Sequence, residues 1–320
     1  MKKVIIDTDP GIDDAAAILF ALRSPELDVR AITTVFGNVE VEQTTQNALR
    51  ILEVVGRGDI PVHPGAAKPL LRSSRHAKFY HGQDGLGDVG LPPPRGRPSS
   101  VRAAAAIVDL LLQGPDPWTV VALGPPTNVA LAVSLEPRII SNVQEIICMG
   151  GAVFVMGNAS PVASANFAND PEAANIVYHC GAPVAQIGLD VCEHVYVTHE
   201  QFTVMQASQD PAAVFLSKIS AFHAKAEERL PELARRWTKY GAGPWHHYND
   251  VPAVGYAVAP QFFNAEKLYV TIETRGDTTS GETVADFRRL LGREPNVNVC
   301  LKVNPQPLVQ LLLERVCGGP

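Results

Sequence analysis

Four aspartates fall within eight residues near the start of the chain: Asp7, Asp9, Asp13 and Asp14. The apolar run before them is typical of a short strand, Pro10-Gly11 favours a turn, and a helical pattern follows. We therefore expect Asp13 at the N-cap of that helix and Asp14 in its first turn. Capping and the helix dipole account for one or two carboxylates, whereas four packed together repel one another unless a cation neutralises them. Because every ligand atom would be oxygen, the spacing predicts a Ca²⁺ or Mg²⁺ site.

Three kinds of metal-binding protein carry such a cluster. An EF-hand loop needs an acidic residue at its twelfth position, which counted from Asp7 is Ile18, so that class is excluded. An aspartyl-phosphate phosphatase also begins with a strand and Asp-x-Asp, but there Gly-Thr usually follows the second aspartate, where this chain has Pro10-Gly11. The third class is a hydrolase that holds a metal ion and activates a water molecule. The pattern favours this class and leaves the phosphatase as a rival.

Short Val- and Ile-rich runs alternate with helical patterns along most of the chain. Strands are predicted at residues 4–6, 29–35, 119–123, 144–149, 184–189, 267–272 and 297–303. Helices are predicted at residues 13–22, 42–55, 103–112, 172–178 and 307–316. This alternation predicts an α/β fold with a mostly parallel open sheet flanked by helices on both faces. In such sheets ligands bind at the carboxyl edge of the strands, which is where the aspartates follow the first strand.

Two stretches break the alternation, residues 73–100 and residues 230–250. Both are irregular and contain several glycines and prolines, but neither has the low complexity of a linker between domains. We therefore expect one domain over residues 1–320, with the two stretches serving as lids or binding loops.

Composition excludes several classes of protein. The net charge is −6 and no basic run stands out, which argues against a nucleic-acid partner. The apolar run Val4–Ile6 is too short for a signal sequence or a membrane span. The five cysteines are scattered without a CxxC pair, as expected for buried thiols in a reducing cytoplasm. We therefore expect a cytoplasmic protein that acts on a small molecule, with no membrane partner.

Several motifs in the same order resemble those of the inosine/uridine-preferring nucleoside hydrolase family, a family of calcium-dependent enzymes. Residues 7–15 match its D-x-D-P-G-x-D-D-A signature in full. Further likeness lies in AITTVFGN at 31–38, H-G-x-x-G-x-G at 81–87, G-P-x-T-N at 124–128, MGG at 149–151, DPEAA at 170–174 and TVAD at 283–286. The resemblance implies hydrolysis of the N-glycosidic bond of ribonucleosides to ribose and free base, in nucleoside catabolism and in purine and pyrimidine salvage. It also implies a homodimer or homotetramer.

The resemblance assigns roles to particular positions. The metal ion is Ca²⁺, and its protein ligands are Asp9, Asp14, the backbone carbonyl of Leu123, and Asp250. Asp9 is also the base that takes a proton from the attacking water. The ribose hydroxyls are held by Asp13, Asn38, Asn158 and Asn166. These roles suit the chemistry, because carboxylates and amides can stabilise the positive charge that develops on ribose as the base departs.

The chain departs from the family at two positions. Many members have a histidine, a proton donor to the leaving base, where this chain has Asn249, whose amide can only form hydrogen bonds. Many also have a glutamate where this chain has Ser164, at the ribose. Neighbouring His246 and His247 are candidate replacement acids, since histidine titrates near neutral pH. Taken alone, each is somewhat better explained as an exposed loop residue.

Other loop residues are candidates for contact with the base. His81 can close over it or simply hold its own loop in shape, and Trp237 and Trp245 can stack on it or pack beneath the loop. Tyr240 and Tyr248 are further candidates for the replacement acid. With no obvious acid, we expect pyrimidine nucleosides or nicotinamide riboside to be cleaved better than inosine. Three rival functions remain open at this point. The first is a hydrolase of nicotinamide riboside or of a modified nucleoside, and the second is a ribose- or nucleoside-binding protein with weak or no turnover. The third is the aspartyl-phosphate phosphatase, against which the Pro10-Gly11 turn argues.

Overall fold

The computed structural model describes residues 1–224 and 246–318, and its centre is an eight-stranded sheet. In chain order the strands are β1 (Lys2–Thr8), β2 (Leu27–Thr34), β3 (Val62–Pro64), β4 (Trp118–Ala122), β5 (Val143–Met149), β6 (Val184–Ile187), β9 (Phe263–Leu268) and β12 (Val297–Val303). Their spatial order is β3-β2-β1-β4-β5-β6-β12-β9. Each neighbouring pair is parallel except β12 and β9, which are antiparallel at one edge. The predicted mostly parallel sheet is confirmed.

Helices cover both faces of the sheet. They are α1 (Ile12–Leu22), α2 (Val41–Val54), α3 (Lys78–His81), α4 (Ala103–Leu111), α5 (Thr127–Leu135), α6 (Ala165–Asn169), α7 (Pro171–Tyr178), α8 (Leu189–Cys192), α9 (His199–Ala207), α10 (Pro211–Ala224), α11 (Val251–Val258) and α12 (Pro305–Cys317). Alternate side chains of β1 enter opposite cores: Val4 and Ile6 pack with α1 and α11, whereas Ile5 packs with α4, α5 and α7. This alternation, with apolar residues on both sides, explains why the strand lies in the middle of a covered sheet.

Two short antiparallel pairs stand apart from the main sheet. One joins β7 (Tyr196–Val197) to β8 (His246–His247), and the other joins β10 (Val270–Ile272) to β11 (Thr283–Ala285). The single strand predicted at 267–272 is therefore wrong. It divides after Leu268, because the side chain of Asn296 takes both backbone hydrogen bonds of Val270 (2.7 and 2.9 Å) and the chain leaves the main sheet there. The strand predicted at 184–189 likewise ends at Ile187, and α8 follows.

The N-cap of helix α1 lies two residues earlier than the sequence suggested. Gly11, rather than Asp13, is the N-cap residue, and both Asp13 and Asp14 lie in the first turn. The reason is that the Asp14 carboxylate accepts the backbone N–H of Gly11 (2.9 Å), which is half of a capping box and needs no side chain on the cap residue. Among the helices within the described residues, none has the length and apolar character needed to cross a membrane.

Candidate active site

Three buried carboxylates converge beside the carboxyl end of β1. One oxygen from each of Asp13, Asp14 and Asp250 lies within 4.8 Å of the others. The first two belong to the first turn of α1, and Asp250 is the N-cap residue of α11, which packs against α1. We call these three residues the acidic cluster.

Asp14 is the most firmly held member of the cluster. Its Oδ1 accepts the Thr8 hydroxyl (2.5 Å) and the backbone N–H of Asp9 (3.2 Å). Its Oδ2 accepts the backbone N–H of Gly11 and the side-chain amide of Asn38 (3.0 Å). Four donors on one carboxylate favour its charged form and fix its orientation.

Asp9 lies beside the cluster, between two glycines. Its Oδ2 accepts the backbone N–H of Asn38 (2.7 Å). A Cβ atom at Gly37 would lie 2.0 Å from Oδ2, and one at Gly124 would lie 2.5 Å from Oδ1. Only residues without a side chain leave room for this carboxylate. Asp9 also helps to raise the pKa of Asp250 by electrostatic repulsion, so the two carboxylates share one region of space.

The electrostatics of these four aspartates favour a bound cation. Burial raises the pKa of Asp9, Asp13, Asp14 and Asp250, that of Asp13 to about 6, and repulsion from neighbouring carboxylates raises the pKa of Asp9, Asp14 and Asp250 further. None of the ion pairs among the described residues brings a lysine or arginine to them. The buried Oδ1 of Asp13 accepts no hydrogen bond from the described part of the chain. Buried carboxylates of this kind fit a divalent cation with oxygen ligands.

The fourth aspartate of the sequence motif does not join the site. Asp7 is fully buried, and its Oδ1 accepts the Thr33 hydroxyl (2.6 Å) and the Asn128 amide (2.7 Å). Burial raises its pKa to about 7. Asp7 lies within β1, where its carboxylate faces a polar contact between β1, β2 and α5, whereas Asp9 lies beyond the end of the strand. The repulsion inferred among four carboxylates therefore does not include Asp7.

The structure brings two of the predicted ligand-binding groups together at the end of β4. The Asn166 amide donates to the carbonyl oxygen of Leu123 (2.5 Å) and to that of Met149 (2.9 Å). The Leu123 carbonyl lies directly after β4, which pairs with β1, so it lies at the same sheet edge as Asp9. A carbonyl oxygen has two lone pairs and can accept Asn166 while it also faces a cation.

Asn158 and Ser164 belong to the segment between β5 and α6. Asn158 is exposed, and its side-chain oxygen accepts the backbone N–H of Ala165 (2.8 Å). Ser164 is buried, and its hydroxyl oxygen accepts the backbone N–H of Gly151 (2.7 Å). The serine therefore supports the backbone after β5, a contact that its position in the motif did not suggest.

Asn249 contacts the acidic cluster. Its backbone N–H and its side-chain amide form hydrogen bonds with Asp13 that lower the pKa of that carboxyl, against the larger effect of burial. On its other side, the Cys192 thiol donates to the backbone carbonyl of Asn249 (3.2 Å). The residue that replaces the family's usual histidine is thus bound to a carboxylate.

His81 is buried next to the acidic cluster. Its Nδ1 accepts the backbone N–H of Ile12 (3.2 Å) and lies 3.7 Å from Oδ1 of Asp13. Burial lowers its pKa to about 4. An imidazole that accepts a backbone N–H is neutral, so His81 is placed at the edge of the cluster without adding positive charge to it.

His246 and His247 are not exposed loop residues, which was one of the two explanations that the sequence allowed. His246 stacks on Phe202 with ring centroids 3.8 Å apart, and the ring of His247 lies 5.5 Å from that of Tyr196. Burial lowers the pKa of both to about 4. Tyr248 is also buried, and its hydroxyl shares a hydrogen bond with Ser220 (2.8 Å). Three other sequence candidates, Trp237, Tyr240 and Trp245, lie outside the described residues.

Sequence reasoning missed two polar residues at this end of the sheet. His223, on α10, has its ring 6.1 Å from that of His81 and 6.4 Å from that of His246. No motif surrounds it, and α10 itself was not predicted. Asp190, in α8 three residues beyond the end of β6, accepts the backbone N–H groups of Val153 (2.9 Å) and Phe154 (2.7 Å). Its position after a strand was a usable signal, and it anchors the segment that carries Asn158.

Comparisons with known proteins agree with this geometry. The family model described as "Inosine-uridine preferring nucleoside hydrolase" matches residues 4–310. A pyrimidine-specific ribonucleoside hydrolase RihA of Citrobacter koseri is 38% identical over 313 residues, 98% of this chain and 97% of that protein. A probable uridine nucleosidase 2 of Arabidopsis thaliana is 39% identical over 324 residues, with the same shares covered.

Two solved structures extend the likeness to the fold. A plant nucleoside hydrolase, the PpNRh1 enzyme, has a TM-score of 0.91 and 36% identity, covering 100% of this chain and 99% of that one. A purine-preferring ribonucleoside hydrolase from Gardnerella vaginalis has a TM-score of 0.89 and 31% identity, covering 99% and 98%. With the family model across nearly its whole length, the chain belongs to the inosine-uridine preferring nucleoside hydrolase family, the glycosidases that hydrolyse ribonucleosides to ribose and free base.

Proposed function

We propose that this enzyme binds Ca²⁺ through Asp14 and Asp250 of the acidic cluster together with the adjacent Asp9 and the Leu123 carbonyl, and that Asp9 is also the general base for the attacking water. The observation that carries the proposal is the convergence of Asp13, Asp14 and Asp250 within 4.8 Å, in the electrostatic range of Asp9 and without a lysine or arginine partner among the described residues. Like charges buried together cost free energy that a divalent cation offsets.

The protein ligands proposed for the ion are Asp9, Asp14, Asp250 and the carbonyl oxygen of Leu123. All are oxygens, and the number leaves coordination positions for ligands from the substrate, since Ca²⁺ accepts six to eight. When bound, the ion supplies a position for the water and makes it more acidic. Ca²⁺ suits this set better than Zn²⁺, because no histidine or cysteine joins the cluster of ligand atoms found among the described residues.

The chain's own residues then carry the reaction. Asp9 accepts a proton from the water, and the water oxygen bonds to C1′ of ribose as the bond between C1′ and the base breaks. Asp13, Asn38, Asn158 and Asn166 hold the ribose hydroxyls, and the unpartnered Oδ1 of Asp13 is a ready acceptor for one of them. The carboxylates and amides also stabilise the positive charge that develops on the sugar ring.

The proposed preference is for pyrimidine nucleosides. Asn249 has no proton to give, and its amide is engaged with Asp13. Uracil departs with its negative charge spread over two carbonyl groups, whereas a purine gains more from protonation. The names of the pyrimidine-specific hydrolase and the uridine nucleosidase agree with this preference, and nicotinamide riboside, which leaves as a neutral base, stays in the substrate range for the same reason.

The test is ribose release from uridine, cytidine, inosine and nicotinamide riboside, each with and without a calcium chelator. Hydrolysis that the chelator abolishes and Ca²⁺ restores supports the metal assignment. Equal rates in both conditions would contradict it. Tight ribose binding without product from any substrate would instead favour the nucleoside-binding rival.

Two further features belong to the same proposal. We expect a homodimer or homotetramer, since the large apolar side chains of Phe154, Leu290 and Leu291 are exposed on the monomer. We also expect nucleoside salvage in the cytoplasm. Light scattering on the purified protein measures the first, and fractionation of cells measures the second.

A further inference from the structure

A cluster of imidazole and phenol rings adjoins the acidic cluster. It consists of His81, His223, His246, Tyr80 and Tyr248, and we call it the histidine cluster. The ring of His223 is central, with Tyr80 at 4.4 Å, His81 at 6.1 Å and His246 at 6.4 Å between centroids. Because His81 reaches within 3.7 Å of Asp13, the histidine cluster begins where the proposed ribose site ends. The nucleobase is attached to the ribose and extends away from the carboxylates that hold it.

Most polar groups near this cluster are already engaged. His81 Nδ1 accepts a backbone N–H, the Tyr248 hydroxyl is bound to Ser220, and the Asn249 amide interacts with Asp13. His223 differs from them. Both of its ring nitrogens are buried, and neither has a partner at normal hydrogen-bond geometry among the residues that the structure describes, although the backbone of Tyr80 is near enough to interact weakly with the ring. Buried polar atoms are normally paired, so two such atoms on one ring call for a partner.

A metal ion does not fit as that partner. The group of side chains that converges closely enough to hold an ion, within the described residues, consists of aspartates alone. An organic partner with both donors and acceptors fits better, because a neutral imidazole offers one donor and one acceptor. Pyrimidine and 6-oxopurine bases present carbonyl oxygens and ring N–H groups of that kind.

We propose that His223 contacts the nucleobase and donates its ring N–H to a base carbonyl oxygen as the glycosidic bond breaks. This assignment rests on the proposed function. As the bond breaks, its electron pair passes to the ring nitrogen of the base and is shared with the carbonyl oxygens. The hydroxide part of the water stays on C1′, and its proton passes to Asp9 and then through solvent to the departing base. The hydrogen bond from His223 strengthens as the carbonyl oxygen becomes negative.

The surroundings of His223 keep it neutral and so suit it to hydrogen bonding rather than to proton donation. Burial lowers its pKa well below 6.5, and His81, His246 and His247 lower it further, while the backbone of Tyr80 opposes the shift. A neutral imidazole that polarises a carbonyl group has a precedent in other enzymes. His223 would then contribute mainly to the transition state and affect kcat more than KM.

The experiment compares two substitutions on two substrates. His223→Phe keeps a flat ring and removes the donor, whereas His223→Gln keeps a donor and an acceptor. The substrates are uridine and p-nitrophenyl riboside, whose phenolate is stable enough to leave unaided. We expect His223→Phe to lower kcat for uridine by about 10²-fold, as the loss of one such donor does elsewhere, and to change p-nitrophenyl riboside by less than about threefold. His223→Gln should restore most of the uridine rate.

The matched control is His179→Phe, at an exposed histidine following α7 and outside both clusters, which should leave both rates unchanged. Equal losses on the two substrates in His223→Phe would overturn the proposal, because they would indicate a general structural role. A selective loss in His246→Phe but not in His223→Phe would assign the donor to His246 and also overturn it. If circular dichroism shows that His223→Phe is unfolded, His223→Leu replaces it, with the same outcomes.

Failure of the proposed function would look different. Wild-type protein that releases ribose from neither substrate would contradict the hydrolase proposal itself. Wild-type protein that cleaves both, with a uridine rate indifferent to His223→Phe and His223→Leu, would contradict the role of His223 alone.

Discussion

The acidic cluster and the histidine cluster adjoin each other and are built in opposite ways. Asp14 is fixed by four hydrogen bonds, two of them from backbone N–H groups, and Asp9 fits between two glycines. His223 and His246 are instead held by contacts between rings, and within the described structure both ring nitrogens of His223 and the Nδ1 of His246 are buried without a partner at normal hydrogen-bond geometry. The firmly held carboxylates thus suit the ribose, which all nucleosides share. The imidazoles are held only by packing, so other side chains can replace them in an enzyme that prefers another nucleobase.

The largest effect should come from Asp9→Asn. The amide cannot take the proton of the water, and loss of a general base typically lowers kcat by about 10²–10⁴-fold. If the acidic cluster serves only the shared sugar, the loss should be the same for uridine, inosine and p-nitrophenyl riboside. Steady-state rates on the three substrates measure it, with Asp116→Asn, an exposed aspartate paired with Lys3, as the control. A loss of activity with only one of the substrates would contradict the assignment of the carboxylates to ribose and of the imidazoles to the nucleobase.

Asp250→Asn should weaken the binding of Ca²⁺ by at least about tenfold, because one buried ligand charge is lost. Calorimetric titration measures the affinity directly. A ligand at a hundred times its Kd stabilises the folded state by about 2.7 kcal/mol, so Ca²⁺ should raise the Tm of the wild type more than that of the variant. An equal rise in Tm for both proteins, or equal stabilisation by Mg²⁺, would contradict the assigned ligands or the assigned ion.

Asn249→His should change the preference of the enzyme among nucleobases without changing how it binds ribose. The new imidazole can protonate a departing purine, so kcat/KM for inosine should rise, by up to about 10²-fold, with little change for uridine. The companion variant carries both His246→Ala and His247→Ala. If the wild type prefers inosine and loses that preference in the double variant, a neighbouring histidine already supplies the acid.

The smallest effect on turnover should follow Asp7→Asn. The amide oxygen can still accept the Thr33 hydroxyl and the Asn128 amide, so kcat should stay within a few-fold of the wild type. Asp7→Ala removes one acceptor from the Asn128 amide, which keeps its bond to the Thr34 carbonyl, and leaves the Thr33 hydroxyl with only a 3.5 Å contact to the Ile6 carbonyl. It should lower the free energy of unfolding by about 1–3 kcal/mol. Urea unfolding of the two variants separates the cases. A loss of kcat in Asp7→Asn as large as that in Asp9→Asn would contradict the structural role of Asp7 and give it a part in the reaction.

The sequence was informative where the site is built from neighbouring residues. The spacing of Asp9, Asp13 and Asp14 after an apolar run predicted a carboxylate site at the end of a strand, because a strand, a turn and a helix leave little freedom over eight residues. Asp250 could be assigned only through the family resemblance. The sequence around it does not indicate that the helix it caps, α11, packs against α1. The mostly parallel sheet followed from the alternation of apolar runs and helical patterns.

The histidine cluster could not be predicted in the same way. His223 lies on an ordinary helix, and its neighbours come from segments far away in the sequence. Whether such a ring faces solvent, the core or a substrate depends on how α10 packs against α1 and α3, which periodicity does not reveal. The orientation of Asp7 was missed for a related reason: the composition of a motif does not state which of its members face the same way.

The meeting of Asp14 with Asp250 has a consequence for how the enzyme assembles. The two residues come from the first helix of the chain and from its last quarter, and contacts so distant in sequence form late because closing a long loop costs entropy. A nascent or truncated chain that ends before α11 therefore contains the whole D-x-D-P-G-x-D-D signature and still lacks one of the three clustered carboxylates. Partly folded forms of this protein should bind the ion poorly. The affinity for the ion therefore reports whether α11 has packed against α1.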